Sequence, residues 1–267
     1  MKKFFYTFFV MLSLAGAVFI CLKFVNWSTQ NPVFNLQDVT INGNRLLHND
    51  EILKLIEIKQ GANIANIDLR ILKDAIEAHP YIESAQISRR FPSSLWINVV
   101  ERTPVAFINS TKLYAVDQSG VLLPLLQSVE LSDLPIITGI NGFLEVPGRQ
   151  INSDFLLGAI ELIHATRIVN SNFYQSLSEV NYDQKKGFIV YFNDATFPAL
   201  FGFNDYFDKA QKLWAFILQI RREQRYEILR HVDLRFQEQV VAQFNSPPAK
   251  TTVAISKEQH KNEVKKF

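Results

Sequence analysis

The chain has 267 residues, room for one large domain or two small ones. Its formal net charge of +2 gives no electrostatic argument for a nucleic-acid partner. A single cysteine, Cys21, excludes an intrachain disulfide framework and a cysteine-based zinc site, so the fold must be held by an apolar core.

Residues 1–25 read MKKFFYTFFVMLSLAGAVFICLKFV. Lys2 and Lys3 precede a run without charge from Phe4 to Leu22. A helix of that length is about 28 Å long, close to a bilayer core. Ala15-Gly16-Ala17 resembles a signal-peptidase site, but the apolar run continues past it, which favours an uncleaved span over residues 4–25. The leading lysines predict a cytoplasmic N-terminus of about three residues and a body outside the cytoplasm. Trp27 falls where an interfacial aromatic anchor is expected. Cys21, inside the span, reads as a small membrane-facing side chain.

From 34 to 102 the texture is mixed. "LQDVTING" alternates and ends in a turn, so it predicts a strand. "NDEILKLIEI" predicts a helix capped by Asn49 or Asp50, with Ile52, Leu55 and Ile56 on one face. "DLRILKDAIEAHP" predicts a second, capped by Asp68, striped by Leu69, Leu72 and Ile76, and stopped by Pro80. "YIESAQISRRF" and "SLWINVVER" predict two strands around a tight turn. In the first, Ile82, Ala85 and Ile87 lack strict parity, which suggests a bulge or two-sided burial; in the second, Leu95, Ile97 and Val99 share a face. The order β-α-α-β-β packs most simply as a three-stranded sheet with both helices on one face. Arg89, Arg90, Glu101 and Arg102 are expected near one end of the hairpin, paired across it as an exposed ion cluster or acting as a polar hinge. Pro104 marks a boundary.

From 103 to 245 strands dominate: "VAFIN", "KLYAVD", "GVLLPL", "PIITG", "SEVNYD", "GFIVYF", "PALFGF" and "RHVDLRFQ", which "VVAQFN" continues. Two helices interrupt them. One carries Leu156, Ile160 and Ile163 on one side; the other carries Ala210, Leu213, Trp214 and Ile217. The expected fold class is therefore α+β: one transmembrane helix, a β-α-α-β-β module, and a mostly antiparallel β domain covered by helices. Residues 246–267 lack apolar periodicity and read as a disordered tail.

No catalytic signature occurs, and the five histidines lack metal-ligand spacing, so no enzyme activity, cofactor or metal is expected. His79 reads as a helix-end cation or a surface residue. Asp117 in "VDQSG" reads as an Asx turn in a hairpin. Binding through surfaces remains: an open strand edge, an apolar groove or the span itself.

Taken in order, Ile41, Gly43 and Asn44, then Gly61, Asn63 and Ile64, then "RRFPSSLWINVVERTPVA", Asp117 and Gly120, and a late "HVDLRF" resemble the FtsQ/DivIB cell-division family and its polypeptide-transport-associated (POTRA) domain. The resemblance implies a POTRA domain at 34–102 and an FtsQ-type β domain at 103–245. It also implies a bitopic inner-membrane protein at the division septum, with no nucleic-acid partner. Its implied partners are FtsB-like and FtsL-like coiled-coil membrane proteins, an FtsK-like protein and the septal synthase complex. The partner contact it implies lies on the last strand, at Phe236, Glu238, Gln243 and Phe244, with a basic residue at Lys185 or Lys186. The family carries a small residue where Glu238 stands and a Trp where Phe244 stands, so the contact is open to remodelling. Two other classes compete. An envelope transport or outer-membrane assembly factor would need a following β-barrel; a membrane-anchored enzyme would need a catalytic set.

Overall fold

The structure is a computed structural model describing residues 2–59, 61–126, 134–236 and 239–245. Helix α1 runs Lys2–Gln30, and its stretch Phe8–Ser28 is long and apolar enough to cross a membrane. No residue of its apolar window is buried inside the rest of the chain, as a lipid-facing helix requires. Two compact units follow from the packing: Met1–Leu134 with Ile140–Ile160, and Pro135–Gly139 with Glu161–Phe267.

In the first unit, β1 (Asp38–Asn42) leads to α2 (Asn49–Leu55) and α3 (Leu69–Glu77), then to β2 (Ile82–Arg90) and β3 (Ser94–Glu101). The sheet order is β1-β3-β2, with β1 parallel and β2 antiparallel to the central β3. Ile52 and Ile56 near α2, Leu72 and Ile76 of α3, and Leu95, Ile97 and Val99 of β3 share one core, which places both helices on the same sheet face. The expected irregularity of β2 is a bulge between Ile82 and Ser84. Gly43 exits β1 at φ +88°, and a Cβ there would collide with the carbonyl of Val99. Asp68 caps α3 by accepting the N–H of Arg70 at 2.9 Å, as the sequence predicts. The cap of α2 lies one residue before the expected pair, at His48, whose N–H donates to Glu51 at 2.8 Å.

The expected charge cluster does not form. The antiparallel register sets Arg90 opposite Ser94 and Ile82 opposite Glu101, so the two charged pairs sit at opposite ends of the hairpin. Arg89 donates instead to the carbonyls of Ile64 (2.7 Å) and Ile67, and the Arg90 guanidinium lies 3.7 Å from the Trp96 ring centroid. The Glu101 carboxylate accepts three successive backbone N–H groups, from Arg45, Leu46 and Leu47. Arg102 pairs with Asp117.

That partner lies on an antiparallel meander of the same unit: β4 (Pro104–Asn109), β5 (Leu113–Asp117) and β6 (Leu122–Leu123). Pro104 occupies the first position of β4, where a missing donor is tolerated. Asp117 forms the expected Asx turn, its Oδ1 accepting from Ser119 (2.9 Å) and Val121 (2.8 Å), while Oδ2 accepts from Arg102 at 2.8 Å. Val121 and Leu123 join the core of the first module, and the buried Tyr81 hydroxyl donates to Pro124 at 2.8 Å. Burial pushes that phenol up to about 12.

The second unit contains β7 (Ile136–Thr138), α5 (Ser171–Gln175), β8 (Leu177–Asp183), β9 (Gly187–Phe192), β10 (Ala199–Gly202), α6 (Tyr206–Arg222), β11 (Leu229–Asp233) and β12 (Val241–Phe244); α4 (Asp154–Val169) precedes α5. Its strands run in the order β12-β11-β10-β9-β8-β7. Most pairs are antiparallel, but β7–β8 and β10–β11 are parallel because each is joined through helix, and a helical crossover returns the chain in the same direction. Leu156, Ile160 and Ile163 are buried along α4; Ala210, Leu213 and Ile217 are buried along α6. Tyr206 at the start of α6 meets Phe188 of β9 edge to face, ring centroids 5.5 Å apart. One expectation is overturned: "VVAQF" does not extend the preceding strand but folds back against it as β12.

Candidate functional site

The reversal begins at "DLR". The Asp233 carboxylate takes the backbone N–H of Arg235 at 3.0 Å and closes on its guanidinium through Nε (2.9 Å) and Nη2 (2.6 Å). This fork holds the Asp233 carboxyl below its ordinary value. The Arg235 stem lies against Gly202, where a Cβ would stand 3.1 Å from Arg235 Cγ. Gly187 is tighter, since a Cβ there would strike the Gly202 backbone. Close backbone approach thus explains both glycines. With Arg235 turned onto Gly202, Phe236 is thrown outward and is 48 % exposed.

β12 pairs with β11 on one side, Val241 opposite Asp233 and Phe244 opposite Leu229. Among the described residues no strand pairs with its other side, so its outward N–H and C=O groups form a free edge. Its side chains alternate: Val241 and Gln243 are exposed, Ala242 and Phe244 half-buried. The Phe244 ring is lidded by Arg225, whose guanidinium carbon is 4.0 Å from the ring centroid.

Lys185 and Lys186 are exposed on the β8–β9 turn. Asp183 organises that turn by accepting both of their backbone N–H groups at 2.8 Å, which keeps its carboxyl below the usual range. Since β9 starts where β10 ends, this turn shares an end of the sheet with Phe236 and Val241. Phe244 lies at the opposite end of β12, and Gln243, opposite His231, lies between. The structure therefore gathers Lys185, Lys186 and Phe236 and sets Phe244 apart from them. Glu238 lies outside the described residues, as does the 246–267 tail. One large apolar group at the crowded end escaped sequence reading: Phe203, 53 % exposed, which leaves β10 at the end where β11 also finishes. It reads as strand interior unless the parallel pairing is known.

Among the described residues no three His, Cys, Asp or Glu side chains are grouped to hold a metal ion. His79, expected as a helix-end cation or surface group, is half-buried, and its Nδ1 accepts the Tyr81 N–H at 3.3 Å. Burial lowers its pKa, so it sits as a neutral acceptor.

An apolar helix long enough to span a bilayer, a βααββ module and a strand-rich module whose last strand has one side unpaired among the described residues define a two-module protein with one candidate membrane span. Residues 34–102 match the model of the FtsQ-type POTRA domain, and residues 106–235 match that of the FtsQ/DivIB C-terminal domain. The cell division protein FtsQ of Syntrophotalea carbinolica is 26 % identical over 213 residues, covering 80 % of this chain and 75 % of that protein. FtsQ of Geobacter sp. (strain M21) is 24 % identical over 233 residues, 85 % and 84 % of the two chains. Cell division protein DivIB of Clostridium acetobutylicum is 32 % identical over 124 residues, 46 % and 47 %. The chain belongs to the FtsQ/DivIB cell-division protein family.

Proposed function

We propose that this protein is a non-catalytic scaffold of the bacterial division machinery. Its span holds residues 34–102 and 103–245, as two domains, on the outer side of the inner membrane at the septum, with the N-terminus in the cytoplasm. It captures FtsB-like and FtsL-like coiled-coil membrane proteins, ties them to an FtsK-like protein and the septal synthase complex, and so contributes to control of septal peptidoglycan synthesis. The observation that carries this reading is the edge of β12, unpaired among the described residues, with Phe236 beside it and Lys185 and Lys186 at the same end of the sheet, three strands away. A partner strand laid there satisfies the open backbone groups, while the exposed apolar and basic side chains supply specificity. Glu238, Gln243 and Phe244 belong to the same contact.

Depletion is expected to give filamentous cells, and a fluorescent fusion is expected to mark mid-cell. Co-purification of the full chain from membranes should recover small coiled-coil membrane proteins. Substituting Phe236 by Ser should abolish that recovery while the protein stays folded. Normal division with an even envelope signal refutes the division role; undiminished recovery refutes the assigned edge.

A further inference from the structure

The end of α1 does not pass into a slack linker. Asn63, one of the few buried polar residues, donates from Nδ2 to the Ser28 carbonyl at 3.0 Å, and its Oδ1 accepts the Ala65 N–H at 2.9 Å. The Asn31 N–H reaches the Trp27 carbonyl at 3.1 Å, and the Asn31 side chain caps the turn Pro32–Phe34. A chain of rings spans the same junction: Phe24 to Trp27 at 5.9 Å, Trp27 to Phe34 at 5.9 Å, and Phe34 to Phe91 at 6.2 Å. Phe34 packs on the module's core, so this chain is fixed to the body of the domain.

Its outer members are bare. Phe91 is 66 % exposed, Val33 57 % and Trp27 54 %. Phe91 stands at the tip of the β2–β3 hairpin, a place where soluble domains put turn-forming polar residues. Trp27 lies at the last turn of the apolar stretch, at the level where hydrocarbon gives way to headgroups. The polar layer beyond is about 5–7 Å thick on each side. Phe91 is two ring contacts of 5.9 and 6.2 Å from Trp27, so a ring chain that runs along the membrane plane sets it in that layer.

We propose that Trp27, Val33 and Phe91 form an apolar collar seated in the interfacial layer of the membrane that α1 crosses, docking the POTRA module on lipid. The occupant is lipid because the patch is continuous with the span and is held to it by the Asn63–Ser28 bond. A protein partner would have to displace lipid from Trp27. Of the charges beside this patch, Arg89 is bound to backbone carbonyls, Arg90 is stacked on Trp96, and the exposed Asp38, opposite Ser94, accepts the Thr40 hydroxyl.

The test uses the full chain in vesicles of phosphatidylethanolamine and phosphatidylglycerol, labelled with an environment-sensitive fluorophore at one cysteine. Three positions are compared: native Cys21, Phe91→Cys and Ser84→Cys, the last two in a Cys21→Ala background. Ser84 is exposed about 20 Å farther along β2. The label at 91 is expected to resist aqueous iodide several-fold better than that at 84 and to be quenched by shallow lipid-borne spin labels. Equal iodide quenching at 91 and 84, with Cys21 still shielded, overturns the collar alone. An iodide-accessible Cys21 overturns the span, and the collar with it. Shielding at 91 that appears only when other membrane proteins are added overturns lipid as the occupant.

Discussion

Replacing Asp117 by Ala should cost the fold far more than a typical surface charge. The carboxylate and the Arg102 guanidinium meet at 2.8 Å, with 4 % and 18 % of their side chains exposed. Removing the anion strands a largely buried cation, which costs about 3–5 kcal/mol. It also frees the N–H groups of Ser119 and Val121, adding about 1 kcal/mol, while water reaching the partly open Arg102 takes back a similar amount. The net expectation is about 3–5 kcal/mol. Followed by urea unfolding of the full chain in detergent, with a slope of about 2 kcal/mol per M, this shifts the midpoint by roughly 1.5–2.5 M. Asp117→Asn combined with Arg102→Leu keeps the Asx turn and removes both charges, so its cost should fall short of the sum of the single variants by at least about 1.5 kcal/mol. A cost below about 1 kcal/mol for Asp117→Ala, or strict additivity in the pair, refutes the claim that this ion pair fastens the β4–β6 meander to the first module.

Phe244→Ala removes a half-buried ring under Arg225; it should lower stability by about 1 kcal/mol and weaken partner capture tenfold or more, measured on the same preparation. Gly43→Ala should cost about 2–3 kcal/mol, since the left-handed backbone and the Val99 carbonyl leave no room for a methyl; wild-type unfolding would contradict the register of β1 on β3. The Asp233 carboxyl is lowered in the fold, so its stabilisation is present above its ordinary value near 3.8 and is lost as pH falls through the lower folded value. Thermal unfolding from about pH 5 to pH 2.5 should therefore steepen in its acid loss for the wild type and flatten for Asp233→Asn.

The first module was legible because each signal was local. Asp68 caps the helix it precedes, Pro80 stops it, and Leu95, Ile97 and Val99 bury one face of a single strand. The expected charge cluster at the hairpin conflicts with the predicted tight turn itself, which already sets Arg89 and Arg90 beside Pro92 and leaves Glu101 and Arg102 a strand's length away, as the register shows. Nothing near Arg102 indicates that its counter-ion comes from the next hairpin. The edge itself was anticipated, but its geometry depended on Asp233 folding Arg235 back onto Gly202, which splits one expected strand into β11 and β12. The aromatic junction at Trp27, Phe34 and Phe91 joins three segments that sequence spacing keeps apart.

The placement of β1 also fixes an order of assembly. Its strand partner is the central β3, and every residue from Gly43 to Ser93 must be synthesised before that partner exists. At roughly 5–20 residues per second, the segment beside the anchor waits on the order of seconds with its backbone unsatisfied. During that interval the nascent chain carries an aggregation-prone strand tethered at the bilayer, and docking of β1 on β3 is the event that retires it.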